Sequence, residues 1–140
     1  YKFKKEKTLM DKIKGWKPIP ISLKIIFVLF ILWIFGSIMS ISMRYELGLP
    51  FFGNYISGFI AALIVFLLDI LGPILFLYGL WNRKSWTNMI SYIFISIFVL
   101  NSVFALIYFR ELLGIMPIVI PALVYLVFMI IINLNKNYFE

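Results

Sequence analysis

Long, unbroken apolar runs separated by short polar corners dominate this chain. Four such runs cover about residues 19–43, 55–81, 86–109 and 113–134. Each meets the roughly 20 residues that a helix rising about 1.5 Å per residue needs to cross a hydrocarbon core of about 30 Å. Membrane strands alternate apolar and polar residues, and these runs do not. Within lipid only helices and closed barrels satisfy their own backbone groups. The pattern therefore predicts an all-α integral membrane protein. Four transmembrane helices form two tandem hairpins over 19–134, followed by a short tail at 135–140.

Residues 1–18 break the pattern. They read as a basic, amphipathic surface helix. Thr8 is placed to cap it, with Asp11 three residues on. Leu9, Ile13 and Trp16 share one face, and Lys7, Lys12 and Lys14 lie off it. Such a helix suits the headgroup plane, with Lys4, Lys5, Lys7, Lys12, Lys14, Trp16 and Lys17 meeting lipid headgroups. Gly15 ends it, and Pro18 and Pro20 force an extended turn. The alternative is a solvated tail that only fixes topology.

Composition agrees with a lipid environment. The 140 residues are 64% hydrophobic and 14% charged. Soluble domains carry about 45–50% apolar and about 25% charged residues. A chain this short cannot hide the excess inside itself. It has no Cys and no His. Disulfides, thiolate chemistry, zinc or haem ligation by those residues and imidazole catalysis are thereby excluded. No Walker loop, HExxH, nucleophile elbow or catalytic carboxylate pair is present. Neither catalysis by the chain alone nor a metal or cofactor is expected.

Charge sets the expected orientation. Of the net +7, residues 1–17 supply +5, from seven Lys against Glu6 and Asp11. Beside a membrane span, such a tail meets anionic lipid headgroups rather than nucleic acid. Lys24, Arg83, Lys84 and Lys136 fall on the same side, and only Arg44 and Arg110 on the other. The positive-inside rule then puts both termini in the cytoplasm of a multi-pass cell-membrane protein. The first run is too long for the core of a signal peptide and lacks a clear small-residue cleavage site, so no cleaved leader is expected there.

A weak repeat links the two far corners. A shift of 66 residues aligns Ile41, Arg44, Leu47 and Gly48 with Ile107, Arg110, Leu113 and Gly114, and Pro50 and Pro117 fall one position apart. Arg44 with Glu46, and Arg110 with Glu111, are expected as outer-surface ion pairs of small value. Gly36-Ser37 with Ser40, and Gly53 with Ser57-Gly58, are expected to permit close helix approach.

Asp69 is the sharpest candidate. It lies 14 residues from both Tyr55 and Arg83, near the middle of its span. A carboxylate at that depth costs a few kcal/mol if ionised and unpartnered. Ser96, Asn101 and Tyr125 are its expected partners, as a helix clasp or as an ion site. Gly72 and Pro73 follow, and Pro73 removes the helical donor to the Asp69 carbonyl, so a kink is expected there.

The segment Tyr78 to Trp86, reading Tyr-Gly-Leu-Trp-Asn-Arg-Lys-Ser-Trp, resembles a turn in small uncharacterised four-helix membrane proteins of archaea and bacteria. There a Gly-Leu-x-x-Gly-Lys/Arg-x-Trp turn links the second and third helices. The ending at 135–139, Asn-Lys-Asn-Tyr-Phe, is similar to their short basic C-terminus. This chain departs at Asn82-Arg83, where the pattern often has Gly nearby. The resemblance implies the same four-span bundle and carries no catalytic residues.

Three functions follow from these features. The first is an accessory or scaffold subunit of a larger membrane complex, packed against other membrane-protein subunits or itself. The second is a small oligomeric transporter or ion pathway using Asp69. The third is a lipid-binding or membrane-shaping protein using the basic tail.

Overall fold

In the computed structural model, which describes residues 13–139, the chain is all-α apart from one small hairpin. Helix α1 runs Ile21–Leu47. A β-hairpin follows, with β1 at Leu49–Phe51 and β2 at Asn54–Ile56. Helix α2 spans Phe59–Trp81 and α3 spans Thr87–Tyr108. A single turn, α4, covers Arg110–Leu113, and α5 covers Met116–Leu134. A 3₁₀ turn at Lys136–Phe139 closes the described chain. Among the described residues, helices α1, α2, α3 and α5 are the four that are long and apolar enough to cross a membrane.

Only 17 to 33% of the residues in the apolar stretches of these four helices are buried. Side chains such as Met39 and Ile21, 82% and 79% exposed, need an apolar solvent. In lipid, apolar burial gives no driving force between helices, and close packing and polar clasps hold the bundle instead. Phe30 on α1 shows the packing. Fully buried, its ring meets Phe76 on α2 at 4.9 Å, Phe94 on α3 at 6.1 Å and Phe128 on α5 at 5.3 Å. Leu23, Ile26, Leu80, Ile95 and Ile132 complete this core, which fills the end of the bundle nearest the termini. Two side-chain bonds lace the same end. Asn135 Nδ2 donates to Ser22 Oγ at 3.0 Å, and the Tyr92 hydroxyl bonds Asn133 Oδ1 at 3.1 Å.

The α2–α3 corner is tightly packed. A Cβ on Gly79 would overlap Thr87 Oγ1 and lie 3.0 Å from its Cβ and Cγ2. By contrast, a Cβ at Gly36 or Gly58 would meet nothing within 4 Å. The small residues expected to draw helices together therefore do not do so at those two positions, because open space lies beside them. Helix α2 ends in a Schellman cap. Lys84 N–H bonds Gly79 C=O at 2.8 Å and Arg83 N–H bonds Leu80 C=O at 3.3 Å. The left-handed position that usually holds Gly is Arg83, at φ 55°. The departure from the resembled turn thus falls where a glycine is most favoured.

The termini depart from expectation. Residues 13–14 are irregular and 15–17 run through a bend into a turn rather than ending a helix. Gly15 N–H bonds Trp81 C=O at 3.0 Å, so this segment caps one of the orphan carbonyls ending α2. Trp16 sits edge-on to Phe27 at 5.4 Å, and Lys24 Nζ lies 5.3 Å from the Trp16 ring. Docking on the bundle end has displaced helical pairing here. Lys4, Lys5, Lys7 and Lys12, with the rest of the expected helix, lie outside the described residues. The 135–139 segment is not a free tail either. Tyr138 and Phe139 are buried under the bundle, and Arg83 Nε donates to Tyr138 C=O at 2.8 Å with its guanidinium 4.6 Å from the ring.

The two far corners share one device. Gly48 N–H bonds Arg44 C=O, and Gly114 N–H bonds Arg110 C=O, both at 2.9 Å. Both glycines hold φ above +80° with extended ψ, a region essentially closed to other residues. The aligned Arg and Gly of the repeat thus form the same helix stop. The expected ion pairs do not form. No salt bridge joins Arg44 to Glu46 or Arg110 to Glu111. Residues one or two apart on a helix do not face each other.

Candidate functional site

The site begins with a helix irregularity. Within α2, residues Val65–Leu71 form a π-helix, and Gly72 N–H reaches back to Leu67 C=O, five residues earlier. Pro73 follows directly. Its ring crowds the carbonyl four residues back and removes a donor. The wider π turn takes up that disturbance, so the expected kink position appears as a π segment with Asp69 inside it. The two parts of α2 then have different neighbours. The part before the π segment packs mainly on α1, and the part after it packs on α3. Between them α2 leaves α3, and a half-open cavity of about 320 Å³ forms.

Opposite charges line this cavity. Asp69 comes from the π segment and Arg44 from the last turn of α1. Asn101 and Ser102 on α3, and Tyr125 on α5, supply the other polar side chains. Asp69, Asn101 and Tyr125 therefore share one cavity. Ser96 does not line it. Five residues from Asn101, it sits about 140° around a helix of 3.6 residues per turn.

The partner of Asp69 is Trp33 on α1. Its indole N–H donates to Asp69 Oδ1 at 3.2 Å. Residue spacing did not suggest it, because a Trp in an apolar run reads as packing or belt. A buried indole N–H nonetheless needs an acceptor, and Asp69 is the one carboxylate in any of the apolar runs. Trp33 also lies against Phe98 and Tyr125, with centroids 5.2 Å away in each case, and Phe98 stacks on Tyr125 at 4.9 Å. The acid is fixed beside an aromatic cluster from three helices.

Asn101 has a different task. Its Oδ1 accepts from Phe52 N–H at 2.9 Å, and its Nδ2 donates to Pro50 C=O at 3.1 Å. It pins the β-hairpin across the cavity mouth, where Leu49, Pro50 and Phe51 form part of the wall. The hairpin turns through Phe52 and Gly53, at φ 46° and 85°, as a type I′ turn does. Phe52 is a costly residue for that conformation. Its bond to Asn101 and its ring contacts with Phe51 and Phe104, at 4.8 and 5.5 Å, hold it there. Nothing in the hydrophobic pattern marks this hairpin, whose two strands are three residues each.

Asp69 and Arg44 attract each other across this cavity without forming a direct ion pair. A hydrogen-bonded acid and a guanidinium of opposite charge thus face one cavity without touching. Pro121 lies in the α5 wall, and its missing N–H leaves the Pro117 carbonyl, also in the wall, without a helical donor. No family model matches this chain, and no curated protein and no solved structure matches it.

Proposed function

We propose that this protein is a non-catalytic accessory or scaffold subunit of a larger membrane complex, seated in the cell membrane with both termini in the cytoplasm. The observation that carries this reading is the closure of the bundle at its terminal end. Phe30, Phe76, Phe94 and Phe128 meet ring to ring there, with Phe139 beneath Phe76. A packed aromatic layer of that kind is poorly suited to passing an ion through the monomer. The bond from Trp33 to Asp69 supports a clasp that ties α1 to α2. The exposed apolar flanks suit lipid and neighbouring subunits alike. Purification of the intact protein from native membranes in a mild detergent tests the reading. Co-purification of fixed partner subunits in constant ratio is expected. A monodisperse particle without partners overturns it.

A second reading is a small oligomeric transporter or ion pathway using Asp69. It is favoured by one observation: the acid faces a half-open cavity rather than a sealed core. Reconstituted protein would then move protons or cations, and Asp69→Asn would abolish that movement while leaving the fold intact.

A further inference from the structure

We propose that the cavity beneath the β-hairpin is a binding site for an elongated zwitterion, its ammonium end at Asp69 and its anionic end at Arg44. The argument starts from charge. Two opposite charges line one cavity and attract each other across it without closing into a direct ion pair. Charges that touch no counter-ion in a low-dielectric setting are costly, and a ligand that contacts both offsets that cost at once. Asp69 already accepts one neutral hydrogen bond, from Trp33. A carboxylate has about four acceptor sites, so room for an ammonium remains.

Geometry sets the ligand's length. Trp33, which marks the level of Asp69, and Arg44 are 11 residues apart on α1. At 1.5 Å per residue their Cα atoms differ in height by about 16 Å. Helical side chains lean toward the N-terminus, Arg44 with a longer reach than Trp33, so the guanidinium reaches back toward Asp69 and the two charges lie on the order of 10 Å apart. Between them the wall is mainly apolar, with Leu68, Phe98 and Ile118 among the lining residues. The volume of about 320 Å³ lies in the range of small-molecule sites. A flexible apolar spacer with opposite charges at its ends matches this lining. A fatty acid would leave Asp69 unmet, and a simple alkylamine would leave Arg44 unmet. The site is independent of the scaffold reading, and its failure leaves that reading standing.

The test uses the full chain in dodecyl maltoside and a series of linear ω-amino acids from four to ten carbons, with octylamine and octanoic acid as single-charge controls. Two readouts serve: the melting temperature, and the Trp33 contribution to fluorescence, isolated by comparison with Trp33→Phe. Saturable binding is expected, tightest near eight carbons, where the extended charge separation is about 10 Å. The controls should bind at least tenfold more weakly. Asp69→Asn should bring the eight-carbon zwitterion down to the level of octanoic acid, and Arg44→Gln down to that of octylamine. Asp69→Glu keeps the charge and should shift the optimum to a shorter chain, which separates loss of the site from loss of the fold. Absence of saturable binding across the series overturns the proposal. So does binding of either control as tightly as the zwitterion, or affinity indifferent to both charge-removing variants.

Discussion

Trp33 on α1 donates its indole N–H to the carboxylate of Asp69 on α2 across 3.2 Å, in the middle of two membrane spans. The bond joins the two helices of the first hairpin where α2 has a π turn and leaves its other neighbour. Polar contacts of this type between membrane helices stabilise by about 0.6 kcal/mol on average and under 2 kcal/mol at most. Asp69→Asn keeps an acceptor for Trp33 and should change stability little in detergent. Asp69→Leu removes the acceptor and strands the indole, and should cost about 1 kcal/mol. Trp33→Phe in the Asp69→Leu background should add little of its own hydrogen-bond loss. A double-mutant cycle by SDS unfolding measures the coupling, and a coupling near zero would remove the clasp from the account of stability.

Gly79 and Thr87 set the spacing of α2 and α3. Any side chain at 79 collides with a threonine that is fully buried and whose hydroxyl already donates to Lys84 C=O at 2.7 Å. Gly79→Ala should therefore destabilise the bundle by about 1–3 kcal/mol, the usual range for overpacking. Thr87→Ala in the same chain should recover part of that loss. Gly36→Ala, with open space around the added methyl, should be neutral or slightly stabilising by helix propensity. Thermal melts of the three variants check the order.

Asn101 should matter for the hairpin more than for Asp69. Asn101→Leu removes both bonds to the turn and leaves Phe52 N–H and Pro50 C=O to find water. A cost of about 1–3 kcal/mol is expected, concentrated in the hairpin. Amide exchange should accelerate at Phe52 to Tyr55 while the α1 interior stays protected. Uniform acceleration through the whole bundle would show instead that Asn101 supports global packing.

The hydrophobic pattern was enough to place four spans because length and continuity in lipid leave one backbone solution. The helix ends it marked shift by a few residues. The first helix continues to Leu47 and the second starts at Phe59 rather than 55, because the hairpin occupies 49–56. That hairpin is hidden: its strands are short and its turn opens on Phe52, where Asn, Asp or Gly is the usual residue before Gly53. Asp69, Asn101 and Tyr125 could be grouped by depth alone. Their true partners could not, because depth says nothing of the angle around each helix. Ser96 is at a fitting depth on the wrong face, and Trp33 is at a fitting depth on a helix that carries no other polar signal there.

Orientation can be tested directly. The charge bias of the loops predicts that tags at either terminus are reachable only from the cytoplasm, and that Asn54→Cys, at an exposed position in β2, reacts with a membrane-impermeant reagent from outside. Outside labelling of an N-terminal tag would reverse the assignment.

Tyr138 gives a prediction in pH. Its hydroxyl is buried with no hydrogen-bond partner among the described residues. Burial holds it above its ordinary value of 10.0, and the nearby Arg83 charge pulls the other way without cancelling the shift. The folded value thus exceeds the unfolded one. A group of that kind favours the folded state fully below the unfolded value, near pH 10, and that contribution is lost as pH rises through the folded value. Below pH 10 the buried hydroxyl is an unsatisfied donor, so Tyr138→Phe should be neutral or stabilising there. Above pH 10 the wild type must either deprotonate a phenol under the bundle or keep it protonated against the solvent, and it should lose stability faster than Tyr138→Phe. Lysine titration affects both proteins equally and drops out of the comparison. Melting temperatures of the two from pH 8 to 11 should run parallel up to about pH 10 and then diverge in favour of the variant. Curves that stay parallel to pH 11 would mean that the Tyr138 hydroxyl reaches water in the folded protein.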